Sequence, residues 1–172
     1  MRYAICAVLL LLGSCHPKPV RRVVRGDTAD LARVFPLRDS TDTLLGTPRV
    51  ISDPSVVVFW LATADTMHED DRAQAFDDLR YYTAQVTSEL QANDIALVAT
   101  RADTLYVELP NHTRRMILLS GLDYPFGYVL VDPGGPERIL TGVYSDDDLR
   151  DELEAYFDLS EDSVTVTPRA TT

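Results

Sequence analysis

The stretch VVVFWLATADTM (residues 56–67) decides how this chain is read. Its first six residues are apolar without interruption, β-branched and aromatic in character, and they predict a strand buried on both faces. A short polar segment follows, and Thr66-Met67-His68-Glu69 fits the capping box in which a hydroxyl at one end and a glutamate three residues on satisfy free amides. That pattern predicts a helix start. Phe76, Leu79, Thr83, Val86 and Leu90 then recur at spacings of three and four, which gives the helix one apolar face. Asn93-Asp94 ends it, and residues 95–100 form a second apolar strand. Strand, helix and strand in this order predict a right-handed βαβ unit with parallel strands.

Downstream, residues 105–109 and 115–119 flank Pro110-Asn111-His112 and read as an added hairpin. Residues 128–131 and 138–143 flank Asp132-Pro133-Gly134-Gly135-Pro136, a stronger hairpin signal. Ser145 precedes three aspartates and caps a final helix, with Leu149, Leu153, Tyr156 and Phe157 on its buried face. Residues 160–172 lack sustained apolar periodicity and read as a flexible tail. Upstream, residues 26–53 are mixed: residues 30–35 fit one helical turn or a strand, and residues 35–51 carry turn residues between short apolar pieces and suggest a hairpin leading into the core. The chain shows no internal repeat.

The N-terminus supplies an address. Residues 1–14, MRYAICAVLLLLGS, place Arg2 before an apolar run too short to span a bilayer, the layout of an export signal. Leu12-Gly13-Ser14-Cys15 resembles the bacterial lipobox, which implies cleavage before Cys15 and its lipidation. Residues 15–28 read as a lipidated tether, whose Lys18, Arg21, Arg22 and Arg25 suit anionic lipid headgroups. The expected location is the cell envelope, lipid-anchored to a membrane, with the domain in the periplasm or on the outer surface. The only other cysteine, Cys6, lies in the signal. After processing, no thiol remains for redox chemistry.

The 172 residues suit one domain with extensions. The formal charge of −11, from 27 acidic and 16 basic residues, argues against a nucleic-acid partner, since phosphate neutralisation requires a basic face.

The order βαβ, β-hairpin, helix resembles the thioredoxin fold, and most closely the membrane-anchored thiol-disulfide oxidoreductases of the TlpA and ResA type. Phe59-Trp60-Leu61 matches the family's approach to its Cys-x-x-Cys, whose two cysteines fall here on Ala64 and Met67. The closing segment, residues 127–157, is similar to the family's last hairpin and helix. The resemblance implies an α/β three-layer sandwich over residues 29–159, a central mixed β-sheet with helices on both faces. It also points to Pro125 as counterpart of the family's cis-proline, although Pro125 sits one residue early for an ungapped match. Alanine and a thioether supply neither the attacking nor the resolving thiol, so the scaffold is expected without the redox activity.

Other chemistry finds little support. His68, Glu69, Asp70 and Asp71 cluster near the helix start, where acids are in any case favoured by the helix dipole. Asp146 to Asp148 lack the alternation and closing glutamate of a calcium loop, and no serine lies in a nucleophile elbow. No catalytic residue, metal site or cofactor is expected. Trp60, Tyr124 and Pro125 are the candidate lining of a groove for a peptide. The leading expectation is a redox-inactive envelope lipoprotein that binds a protein or peptide. The alternatives are an enzyme with non-thiol chemistry near His68, favoured by a pocket there, and a structural spacer, favoured by neither pocket nor groove.

Overall fold

Residues 45–159 are described by the computed structural model, and the apolar run at their centre forms β2 (Ser55–Trp60), buried along its whole length. Before it comes β1 (Arg49–Ile51). After it come a 3-10 helix (Ala62–Thr66), α1 (Glu69–Ala92) and β3 (Ala96–Thr100). Next are β4 (Thr104–Glu108), β5 (Arg114–Leu118), β6 (Phe126–Val131), β7 (Arg138–Thr141) and α2 (Asp146–Phe157). The protein is a mixed α/β structure with two mixed sheets and, among the described residues, two α-helices.

The larger sheet runs β3-β2-β6-β7. The β2–β3 pair is parallel and its crossover is α1, while β6 lies antiparallel to both β2 and β7. The two strands of the expected βαβ unit are therefore parallel neighbours, and β6 lies on the other side of β2. Both hairpins form where the turn residues predicted them. In the β6–β7 turn the Gly135 amide donates to the Asp132 carbonyl at 2.9 Å, and the Gly134 amide to the Asp132 carboxylate at 3.1 Å.

Strand alternation explains why β2 and β6 are apolar at every position. Val56, Val58 and Trp60 of β2, with Tyr128 and Leu130 of β6, face one layer and pack with Phe76, Leu79, Val86 and Leu90 of α1 and Leu149 and Leu153 of α2. Val57, Phe59, Val129 and Val131 face the other way. They meet Ile51, Leu105, Val107, Ile117 and Leu119 from the smaller sheet, ordered β1-β4-β5.

This second layer corrects the expected architecture. Both described helices lie on one face of the central sheet, and a three-stranded sheet covers the other. The physical reason is the period of residues 104–119: buried Leu105, Val107, Ile117 and Leu119 alternate at a spacing of two, which presents an apolar face only as strands. The entry segment also differs. The partner of β1 is β4, in parallel, so β1 closes an edge of the smaller sheet. The rest of the expected entry hairpin, the signal, Cys15, the tether and the tail after residue 159 lie outside the described residues.

Helix boundaries contain one more correction. Thr66 does not cap α1; its hydroxyl donates to the Thr63 carbonyl at 2.7 Å, inside the 3-10 helix. The N-cap of α1 is His68, whose side chain makes no capping hydrogen bond. The α2 cap is as predicted, with the Ser145 hydroxyl accepting from the Asp148 amide at 3.2 Å and donating to the Asp148 carboxylate at 2.6 Å.

Candidate functional site

The C-terminal end of β2 carries most of the residues singled out by the sequence. Leu61 leaves the sheet with its amide donating to the Pro125 carbonyl at 2.7 Å, which ties the start of the 3-10 helix to the loop entering β6. No described peptide bond is cis, so Tyr124–Pro125 is trans. Within the 3-10 helix Ala64 is fully buried, and the Met67 amide donates to the Ala64 carbonyl at 3.1 Å. Met67 is half-buried against the helix-side core. The two positions thus share one tight turn, ahead of α1 and not within it.

Trp60 does not line a groove. Only 1% of it is exposed, and it is held between Phe126 (stacked, centroids 5.1 Å apart) and Phe76 (edge-on, 5.2 Å). Such aromatic contacts contribute about 0.5–1.5 kcal/mol beyond their burial, which makes Trp60 a core anchor under the site. Tyr124 is different. Half of it is exposed, it tilts against Phe126 at 5.9 Å, and its ring lies over Gly142. Val143, which follows Gly142, is also exposed. Around the 3-10 helix, Arg101 pairs with Asp65 at 2.9 Å and Arg72 donates to the Asp65 carbonyl at 3.2 Å.

The His68 cluster is dispersed into solvent. His68, Glu69, Asp70 and Asp71 are all exposed at the first turn of α1. Among the described residues no group of three His, Cys, Asp or Glu side chains is placed to hold a metal ion. His112 sits on the β4–β5 turn, 3.3 Å from Glu108 and far exposed. The described residues contain no cysteine, so the turn at Ala64 and Met67 offers shape and backbone but no nucleophilic sulfur.

Two open hollows lie at the opposite pole, where β6 ends, and the sequence did not signal them. One, of about 510 Å³, is lined by Pro54, Asn93, Ile95, Asp132, Tyr156 and Leu159 among others. The second, about 500 Å³, is lined by residues including Leu109, Pro110, Arg115, Pro133 and Pro136. Their walls share the β6–β7 turn, which two side chains clamp. The Tyr156 hydroxyl accepts from the Asp132 amide at 2.9 Å and donates to the Pro136 carbonyl at 2.7 Å. Arg115 donates to the Gly135 carbonyl and pairs with Glu137, both at 2.8 Å. Burial pushes the Tyr156 phenol above its ordinary value. These groups rigidify a turn, and none is an unengaged nucleophile or base. No described helix is long and apolar enough to cross a membrane. Comparison with protein-family models, curated proteins and solved structures gives no match for this chain.

Proposed function

We propose that the chain is a cell-envelope lipoprotein whose thioredoxin-like domain performs no redox chemistry and binds a protein or peptide partner. The strand order β3-β2-β6-β7 supports the thioredoxin-like part, with a parallel first pair joined through α1 and two antiparallel strands following. The turn after β2 supports the loss of activity. Its two relevant positions are a fully buried alanine and a methionine packed on the core. That turn is the observation that carries the reading, because thiol exchange needs a thiolate there and a second thiol to resolve the mixed disulfide. The exposed Tyr124, whose ring lies over Gly142, supports a partner contact at the same pole.

The test is direct. The purified chain should show no dithiol-driven insulin reduction, and turnover in a preparation free of thioredoxin would overturn the reading. Ala64→Cys with Met67→Cys should form an intramolecular disulfide, since one turn already joins the two backbones. For the anchor, acyl mass on an N-terminal peptide that begins at Cys15 is expected. Unchanged membrane partitioning after Cys15→Ser would reject it.

A further inference from the structure

Natural sheets protect a free strand edge with charge, proline, bulges or a covering element. β5 is an edge of the smaller sheet, with β4 on one side and no described strand on the other. Its sequence, RRMIL, contains no proline, and of its two charged residues Arg115 pairs with Glu137, which leaves Arg114. The Leu119 amide donates to the Asp103 carbonyl and the Leu109 amide to the Thr113 carbonyl, both at 2.8 Å. In an antiparallel ladder, bonded pairs alternate with unbonded ones. With Tyr106 opposite Met116, the groups of Arg115 and Ile117 therefore point to β4, and those of Arg114, Met116 and Leu118 point to the edge that no described strand covers.

The same three residues project from the outer face of the sheet. Met116 and Leu118 are 54% and 55% exposed, and they continue an apolar row through Tyr106 to exposed Val50, opposite one another in register. None of the six exposed large apolar residues lies on β3 or β7, the edges of the other sheet. Arg114 is exposed and, among the described residues, enters no ion pair, whereas Arg115 is taken by Glu137. Glu108 lies opposite Arg114 in register, but its carboxylate is turned to His112, 3.3 Å away.

We infer that β5 accepts an extended segment of a partner protein as an added antiparallel strand, with two apolar residues beside Leu118 and Met116 and an acid beside Arg114. The inference rests on the partner-binding reading and assigns it to the edge of the smaller sheet. Backbone bonding at alternate residues supplies attraction, and the side-chain row supplies selection. Charge argues against a second copy as occupant, because two chains of −11 repel, whereas a short segment brings its acid directly to Arg114.

The probe is a fluorescein-labelled peptide, TVTVTETSG, whose valines and glutamate match that spacing, titrated against the purified full chain by anisotropy. Saturable binding is expected. It should weaken at least tenfold on replacing the peptide glutamate with lysine, or on N-methylating its second valine, which blocks the ladder bond. Arg114→Glu and Met116→Lys change exposed side chains, and each should weaken binding similarly while circular dichroism is unchanged. Absence of binding, or indifference to N-methylation or to both variants, overturns the inference. So does Met116-dependent binding to phosphatidylglycerol vesicles without peptide binding, which assigns the face to lipid. Concentration-dependent dimerisation lost in Arg114→Glu would instead assign it to a second copy and also overturn it. Peptide binding that survives both variants but falls in Tyr124→Ala would reject β5 and keep the partner-binding reading.

Discussion

Tyr128 shows how one polar atom is accommodated in the core. Its ring is fully buried on β6, and its hydroxyl lies 3.1 Å from that of Thr83 on α1. Because Thr83 donates to the Leu79 carbonyl at 2.6 Å, Tyr128 is the donor in the pair. Deleting the donor and deleting the acceptor should differ. Tyr128→Phe should cost about 0.5–1.5 kcal/mol, but Thr83→Val strands a buried phenol on a 3.4 Å contact to Leu79 and should cost about 1–3 kcal/mol. Denaturant unfolding of the two variants would show equal losses if the assignment is wrong. Burial raises the Tyr128 phenol to about 12. The unfolded phenol loses its proton near pH 10, so the stabilisation is complete below pH 10 and is lost as pH rises through 12. Wild-type stability should therefore fall over that window by about 1.4 kcal/mol per pH unit, and Tyr128→Phe should flatten this slope. Gly127, next to it, adopts φ of +148°, and an added Cβ would meet the Leu140 carbonyl on β7. Gly127→Ala should cost at least about 3 kcal/mol, because backbone on both strands must move.

At the scale of elements, the two helices begin differently. α2 has a hydroxyl cap, and Ser145→Ala should lower stability by about 1 kcal/mol. α1 starts at an imidazole that caps nothing, with three acids in its first turn. His68→Ser should therefore raise the thermal midpoint, by an amount corresponding to about 0.5–1 kcal/mol. A lower midpoint would mean that His68 has an unrecognised partner. The capping box was legible as a motif but displaced. Thr66 satisfies its hydroxyl within the 3-10 helix, a local competitor of the sort Ser and Thr often choose.

At the scale of the whole molecule, charge and layering set the behaviour. Net charge of −11 means that the folded chain repels itself, so moderate NaCl should raise the thermal midpoint by a few degrees. A midpoint unchanged between 10 and 200 mM salt would show the acids to be locally compensated. Layering explains why β2 and β6 tolerate so little polarity. One side chain in two faces the helices and the next faces the smaller sheet, so neither face is left to solvent.

The sequence by itself determined most of the elements, the parallel pair of the βαβ unit and the two hairpins. The apolar run before Trp60, the three-and-four spacing from Phe76 to Leu90, and the Asp-Pro-Gly-Gly-Pro turn are local patterns that leave each segment one favourable state. It also determined the absence of any thiol outside residues 6 and 15. Only the tertiary structure decided which layer covered which face. Phe59 and Trp60 are equally apolar neighbours, yet one packs on a sheet and the other among aromatic rings under a helix. Nor could spacing reveal that Trp60 is sealed while Tyr124 is open, or that Arg114 and Met116 share an edge that no described strand covers. The reason is physical: periodicity reports that a face must be buried, but what buries it lies elsewhere in the chain.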